Sequence, residues 1–342
     1  MDIKLGVVLS GGGAKGAYEA GFLKALSEFN IQPDAVSGTS IGALNGAIYS
    51  SNKNTKDVAL ALEKIWKDLA NTKALSFIDK KKTFMTFVEI LTIFSPTAPV
   101  SRLARGISYL ASKGNNKSGA LKIEPINNIL GNYTSIEKLR MGLPFYVGLT
   151  QSNGNLIDAL RFFELENNGL TEYRKIKDLK DEDIYKTILA SAALPIFFDA
   201  QKIDGVEYRD GCLGSLNNEW GNTPAKPLIE KESCTHLIVC HLNEGSFFDR
   251  NDPIFDNTQI IEIRPTQDTF SKFWFSTLRF SVDKIDLWMN QGYEDSKRIL
   301  SESFKALSTK NQRINSEIKS DISIERLKNQ NFFIPDIKQR VL

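Results

Sequence analysis

The chain has 342 residues with 43 basic and 41 acidic side chains, a net charge of +2, so it lacks the strongly basic balance of a protein that binds a nucleic-acid polymer. Hydrophobic residues at 42% and charged residues at 25% are globular proportions and exclude wholesale disorder. At about 150 residues per domain, the length fits one large domain or two modest ones. Residues 3–9 (IKLGVVL) read as a buried strand that a glycine cluster ends. Tyr18, Phe22, Ala25, Leu26 and Phe29 recur at helical spacing and predict a helix over 16–29. A short strand at Ala35–Ser37 and a second helix at Ile41–Ser50 follow, separated by a sharp turn. This alternation predicts a parallel sheet with helices on both faces, and right-handed crossovers put both turns at its carboxyl edge.

Residues 56–140 are helical by pattern, apart from a polar link at 112–119 (SKGNNKSG). Pro144–Thr150 reads as a strand, and the turn at Ser152–Asn155 leads into another strand near Leu156–Phe163. Val206–Arg209 is a short strand ending at Asp210, and 235–242 and 259–263 are two more. The last eighty residues read as mostly helical, with a loosely attached tail beyond Ser308. Cys212, Cys234 and Cys240 form an odd, sparse set that suits a reducing, cytoplasmic compartment. Neither a signal peptide nor an apolar run of about 18 residues is expected.

Gly38-Thr39-Ser40-Ile41-Gly42 has the G-x-S-x-G form of a nucleophile elbow between a strand and a helix. The spacing follows from crowding: a serine thrust out on a tight turn needs neighbours without side chains where strand and helix meet. The competing reading is a plain turn with Ser40 as helix N-cap. Gly11-Gly12-Gly13-Ala14-Lys15-Gly16 fails as a Walker A loop, because Gly16 follows Lys15 where Ser or Thr is required. It fits a dinucleotide fingerprint poorly, because Ser37-Gly38-Thr39-Ser40 stands where an acidic residue would hold the ribose. Two readings remain: an oxyanion hole of backbone N–H groups with the charge of Lys15 nearby, or a loop that merely lets backbone approach backbone. The two histidines, His236 and His241, lie in an apolar strand and read as sheet residues rather than as a serine's base. Cys234, His236 and Cys240 alternate on that strand without a fourth ligand, so no metal site is expected. Asp210-Gly211 reads equally as an Asp-Gly turn or as a functional loop.

Taken in order, these segments resemble the patatin-like phospholipase family. Gly11–Gly16 is similar to its glycine-rich oxyanion motif, and Gly38–Gly42 to its elbow. Ala190-Ser191-Ala192-Ala193-Leu194-Pro195 resembles the small-residue segment packed beneath the site, Asp210-Gly211 the dyad motif, and Asn222-Thr223-Pro224 the turn after it. Cys212 departs from the small residue usual there, and 213–221 is a longer link than usual. The resemblance implies a three-layer α/β/α fold on a mainly parallel sheet. It implies a catalytic domain over 3–265 with a helical insert at about 73–130, and a regulatory or lid-bearing helical region over 266–342. Ser40 is then the nucleophile, Asp210 its base and the Gly11–Gly16 loop the oxyanion hole. Phospholipid or another acyl ester is the substrate, and no metal or cofactor is needed. The resemblance also admits two alternatives: an effector switched on by a protein or nucleotide, and a non-catalytic lipid-binding module suggested by Cys212.

Residues 84–94 (FMTFVEILTIF), preceded by Lys80–Lys82, read as an apolar helix on which Thr83, Thr86, Glu89 and Thr92 would make a narrow polar stripe. At about 16 Å it is too short to span a bilayer. It reads as a core helix, or as a lid docking Phe84, Phe87, Val88 and Leu91 on the inner membrane surface. The aromatic run Phe270, Phe273, Trp274, Leu278 and Phe280 poses the same choice.

Overall fold

A computed structural model describes residues 3–52, 54–71, 124–162, 168–195, 197–214, 221–246, 248–266 and 282–329. The expected lid at 84–94, its lysines and the aromatic run at 270–280 lie outside these residues. The first fifty residues fold as their pattern predicts: β1 (Leu5–Leu9), α1 (Gly16–Glu28), β2 (Ala35–Gly38) and α2 (Ile41–Ser50). Helix α3 (Thr55–Asn71) follows, then α4 (Glu124–Tyr133), α5 (Ile136–Met141) and β3 (Phe145–Gln151).

The segment after β3 differs from expectation. Residues Asn155–Phe162 form a helix, α6, not a strand. Asp158 explains the difference: Oδ1 accepts from the backbone N of Asn153 at 3.1 Å, which caps the turn, and Oδ2 accepts from Arg209 Nε at 2.7 Å. Two further strands, β4 (Thr171–Lys175) and β5 (Gln201–Ile203), are too polar to announce themselves. Helix α7 (Asp181–Ser191) lies between them, and β6 (Val206–Asp210), α8 (Lys226–Glu230), β7 (His236–Cys240) and β8 (Gln259–Ile263) complete the α/β part.

The strands make one eight-stranded sheet in the order β5-β6-β3-β2-β1-β7-β8, with β4 also on β3. β3, β2, β1, β7 and β8 run parallel; β4 and β6 are antiparallel to β3, and β5 to β6. The order reverses between β2 and β7 around β1, which opens a crevice at the carboxyl end of β1 where ligands bind in such sheets. One face carries α8 and the turn at 248–255, with Val8, Ala35, Leu228, Leu237, Val239 and Phe255 buried between. On the other face Gly42 and Gly46 of α2 let the helix reach Leu9 and Phe145 directly.

The chain divides into two compact units, Met1–Ser296 and Lys297–Leu342. The last helix, α9 (Val282–Asn329), begins in the first unit. Its first turns lie on α1, where a Cβ on Gly21 would overlap the carbonyl of Met289 and one on Gly292 that of Tyr18. Tyr18 Oη donates to Asp295 at 3.1 Å and Tyr293 Oη to Glu28 at 2.7 Å. Helix α9 continues through Asn329, well past Ser308. Among the described residues no helix is long and apolar enough to cross a membrane.

Candidate active site

Ser40 stands between β2 and α2 with φ 55° and ψ −123°, a left-handed conformation that costs a non-glycine residue about 1–3 kcal/mol. The flanking glycines make the turn possible. A Cβ on Gly38 would overlap the carbonyl of Gly42, and one on Gly42 would overlap those of Leu9 and Ser10. Ser40 itself is 7% exposed.

Asp210 reaches the same level from the other direction. Val147 of β3 is opposite Gly38 in the parallel ladder, and Leu149, two residues on, is opposite Asp210 in the antiparallel one. The register thus brings the end of β6 alongside the residue two past Gly38. Asp210 is fully buried. Its Oδ1 accepts from the Cys212 backbone N at 3.0 Å, while Oδ2 has no hydrogen-bond partner among the described residues. Burial pushes its carboxyl up to about 6; the Cys212 backbone N–H, the Ser40 hydroxyl and the Cys212 thiol pull it back. Burial and the neighbouring carboxylate raise the Cys212 thiol in turn, which keeps it protonated.

Thr39 and the glycines of the aspartate loop tie the two halves together. Thr39 Oγ1 donates to the Gly221 carbonyl at 2.6 Å, and a Cβ on Gly148 would come within 2.5 Å of that hydroxyl. Gly211 has no room for a side chain against the Gly148 carbonyl, and its own carbonyl accepts from Thr150 Oγ1 at 3.3 Å.

The glycine loop closes the site from the β1 side. A Cβ on Gly11 would lie 3.2 Å from Ser40 Cβ and 2.5 Å from Asn222 Oδ1. The N–H of Gly11 is occupied by the Asn222 carbonyl at 3.1 Å, which removes it from the expected set of oxyanion donors. Those of Gly12 and Gly13 make no hydrogen bond to a described residue, and Gly13 has φ 60°. Behind the loop, Leu242 packs against Gly12, and buried Lys15 donates from Nζ to Asn243 Oδ1. Ala14 is fully buried, and a Cβ on Gly16 would meet Ile41 and Trp66. Beneath it, Asn45 of α2 donates to the Gly16 carbonyl at 3.0 Å and to Glu19 Oε2 at 2.7 Å.

Neither histidine joins this group. His236 begins β7 at the amino edge of the sheet, paired with Leu5, and its Nδ1 meets Thr235 Oγ1 at 2.9 Å. His241 Nε2 bonds Glu262 at 2.9 Å, and burial lowers its pKa. Among the described residues no three His, Cys, Asp or Glu side chains gather to hold a metal ion.

The sequence marks Ser191 only as part of a small-residue segment. Its hydroxyl accepts from the Ser40 backbone N at 2.9 Å and donates to the Gly148 carbonyl at 2.7 Å. Its place one residue after Ala190 at the end of a helix was the signal available.

Residues 7–220 match the sequence model of a family described as patatin-like phospholipase. The neuropathy target esterase sws of Drosophila sechellia is 52% identical over 54 residues, 16% of this chain and 4% of that protein. The putative patatin-like phospholipase domain-containing protein M110.7 of Caenorhabditis elegans is 50% identical over 54 residues, 16% of this chain and 5% of that one. The matched stretch therefore spans a small fraction of either relative. Among solved structures, VipD from Legionella pneumophila aligns over 88% of this chain and 67% of its own, at 17% identity and a TM-score of 0.43. The type III effector protein ExoU aligns over 88% and 53%, at 16% identity and a TM-score of 0.39.

Proposed function

The chain belongs to the patatin-like phospholipase family, and from that premise we propose that it is a lipid acyl hydrolase of the phospholipase A type, acting through a Ser40–Asp210 dyad. The observation that carries this reading is Asp210: a buried carboxyl, pushed up to about 6, with one oxygen unpartnered among the described residues, beside a serine held in a left-handed turn. A carboxylate near pKa 3.9 is a weak base for a serine, and one near 6 is better matched to neutral pH. Asp210 takes the hydroxyl proton as Ser40 Oγ attacks the ester carbonyl. The N–H groups of Gly12 and Gly13 receive the oxyanion, where losing one donor raises the barrier by about 3–4 kcal/mol. Protonated Asp210 gives its proton to the leaving alkoxide; it then takes one from the water that attacks the acyl-enzyme and returns it to Ser40 Oγ as the acyl–oxygen bond breaks and the fatty acid leaves.

The catalytic part in this reading spans 3–265, and the region from 266 serves as a lid or a control element. Peripheral membrane contact is assigned to Phe84, Phe87, Val88 and Leu91. Fatty-acid release from mixed phosphatidylcholine–phosphatidylglycerol vesicles tests the activity, with Ser40→Ala as control. Release that persists in Ser40→Ala sinks the dyad. Release that needs added cell extract or a nucleotide moves the reading to a switched effector. Flotation with those vesicles tests the membrane contact: Phe87→Asp with Leu91→Asp should lose binding while the circular dichroism of the protein is unchanged.

A further inference from the structure

The carboxyl end of α7 touches both halves of the dyad. Ser191 Oγ accepts from the backbone N of Ser40, and the Ala193 carbonyl accepts from the backbone N of Asp210 at 3.4 Å. We infer that Ser191 is a positioning residue: it holds Ser40 in its left-handed conformation and sets that residue's place relative to Asp210.

The backbone N–H of Ser40 would be an orphan donor without Ser191. β2 ends its ladder at Gly38, and the N–H of Thr39 bonds back to the Leu9 carbonyl at 3.2 Å. At Ser40 the chain leaves the strand, and its amide has neither a strand partner nor a helical one. A buried N–H left unsatisfied costs about 1–3 kcal/mol. Without a partner here, the strained φ of 55° would have less to oppose its relaxation. The Ser191 hydroxyl is fully buried, and its own proton is directed to the Gly148 carbonyl. Its lone pair therefore faces the amide of Ser40 in a fixed direction. Gly148 belongs to β3, the strand that pairs with both β2 and β6. One hydroxyl thus references the elbow to β3, the strand against which the aspartate's own strand, β6, is paired. Ser191 does not touch Oδ2 of Asp210, so it acts on the nucleophile's position and not on the base's proton affinity.

The inference rests on Ser40 as nucleophile and Asp210 as base, and the experiment separates the two claims. The full-length chain is labelled with a fluorophosphonate, and the rate constant at Ser40 is measured for wild type, Ser40→Ala, Ser191→Ala and Thr187→Val. Thr187 sits on the same helix, equally buried, with its hydroxyl turned to the Asp183 carbonyl at 2.8 Å. Ser191→Ala should label roughly 10–100-fold more slowly, the scale of a misplaced reacting group, and lose kcat on a soluble p-nitrophenyl ester while KM stays within about threefold. The acid limb of its pH profile should keep its midpoint near that of wild type. Thr187→Val should lose stability but label within about twofold of wild type. Equal labelling in Ser191→Ala and wild type, or an equal fall in both helix variants, overturns the inference. If Ser191→Ala does not fold, Ser191→Cys, similar in size but a poor acceptor, is read in the same way. Wild-type labelling that is absent, or that survives Ser40→Ala, removes the nucleophile itself, and the positioning role falls with it.

Discussion

The elbow at Ser40 and the loop at Asp210 reach the same few ångströms by opposite means. The elbow is local: Gly38, Ser40 and Gly42 lie within five residues, and what they hold in reserve is backbone strain at one φ. The aspartate is assembled from a distance, by Gly148 and Thr150 on β3, Ala193 after α7 and Thr39 with Gly221. What is stored there is desolvation of a carboxyl. A strained serine and a dehydrated aspartate are both unfavourable for the fold, and each is held by packing that the other lacks.

Removing the carboxyl should give the largest effect and split activity from stability. Asp210→Asn should lose about a thousandfold or more in kcat, yet fold more stably. The sign follows from the raised pKa: stability is fully present while the carboxyl is protonated and is lost as pH rises from its ordinary value to about 6. A rise of about two units corresponds to roughly 3 kcal/mol. Denaturant unfolding should therefore favour the Asn variant above pH 7 and show no advantage near pH 3. The wild-type rate should climb through about pH 6 and level off above it. An Asn variant less stable at pH 8 would contradict the desolvation account.

The elbow should respond in the opposite sense. Gly42→Ala drives a Cβ into the carbonyls of Leu9 and Ser10, and backbone cannot step aside as a side chain can. About 3 kcal/mol of stability should be lost, with Ser40 labelling lost alongside it. A Gly42→Ala protein with unchanged urea midpoint would mean that the elbow is less tightly packed than its geometry indicates.

The same contrast explains what could be read from sequence. The elbow and α1 were legible because their determinants are contiguous, and helical spacing or glycine spacing displays them. The geometry around Asp210 was not legible, because an Asp-Gly pair has no local mark of burial; only its order among the other motifs singled it out. α6 carries a strand-like pattern for a related reason. Its Asp158 and Arg161 are buried, and the shorter of the two ion pairs of Asp158, 2.7 Å against 3.7 Å to Arg161, is made with Arg209, 51 positions away. The motif places the Gly11 amide in the site, but the carbonyl of Asn222 occupies it.

A smaller effect is expected where the two regions meet. Thr39→Val keeps the shape but removes the hydroxyl that bonds the Gly221 carbonyl. That should cost about 1 kcal/mol in unfolding measurements and a few-fold in kcat, because the aspartate loop loosens while the elbow stays intact. A loss as large as that of Gly42→Ala would mean that the loop, not the glycines, holds the elbow.

The smallest effect belongs to a second buried carboxyl, which tests whether burial alone makes a catalytic acid. Glu19 of α1 is fully buried, and desolvation raises it well above its ordinary value against the opposing pull of the Asn45 amide and the Ser10 backbone N–H. Its Oε1 has no hydrogen-bond partner among the described residues, and neither has Oδ2 of Asp210, but Glu19 shares its Asn45 donor with the Gly16 carbonyl and makes no hydrogen bond to Ser40 or Asp210 among the described residues. A carboxyl held neutral in this way is closely imitated by an amide. Glu19→Gln should keep kcat within about twofold, since Asn45 still finds an acceptor oxygen. Its stability should equal that of wild type at acid pH and exceed it as pH rises, because only the glutamate then faces the cost of ionising in the core. A large loss of kcat in Glu19→Gln would place the proton of Glu19 in the reaction and end the distinction between the two carboxyls.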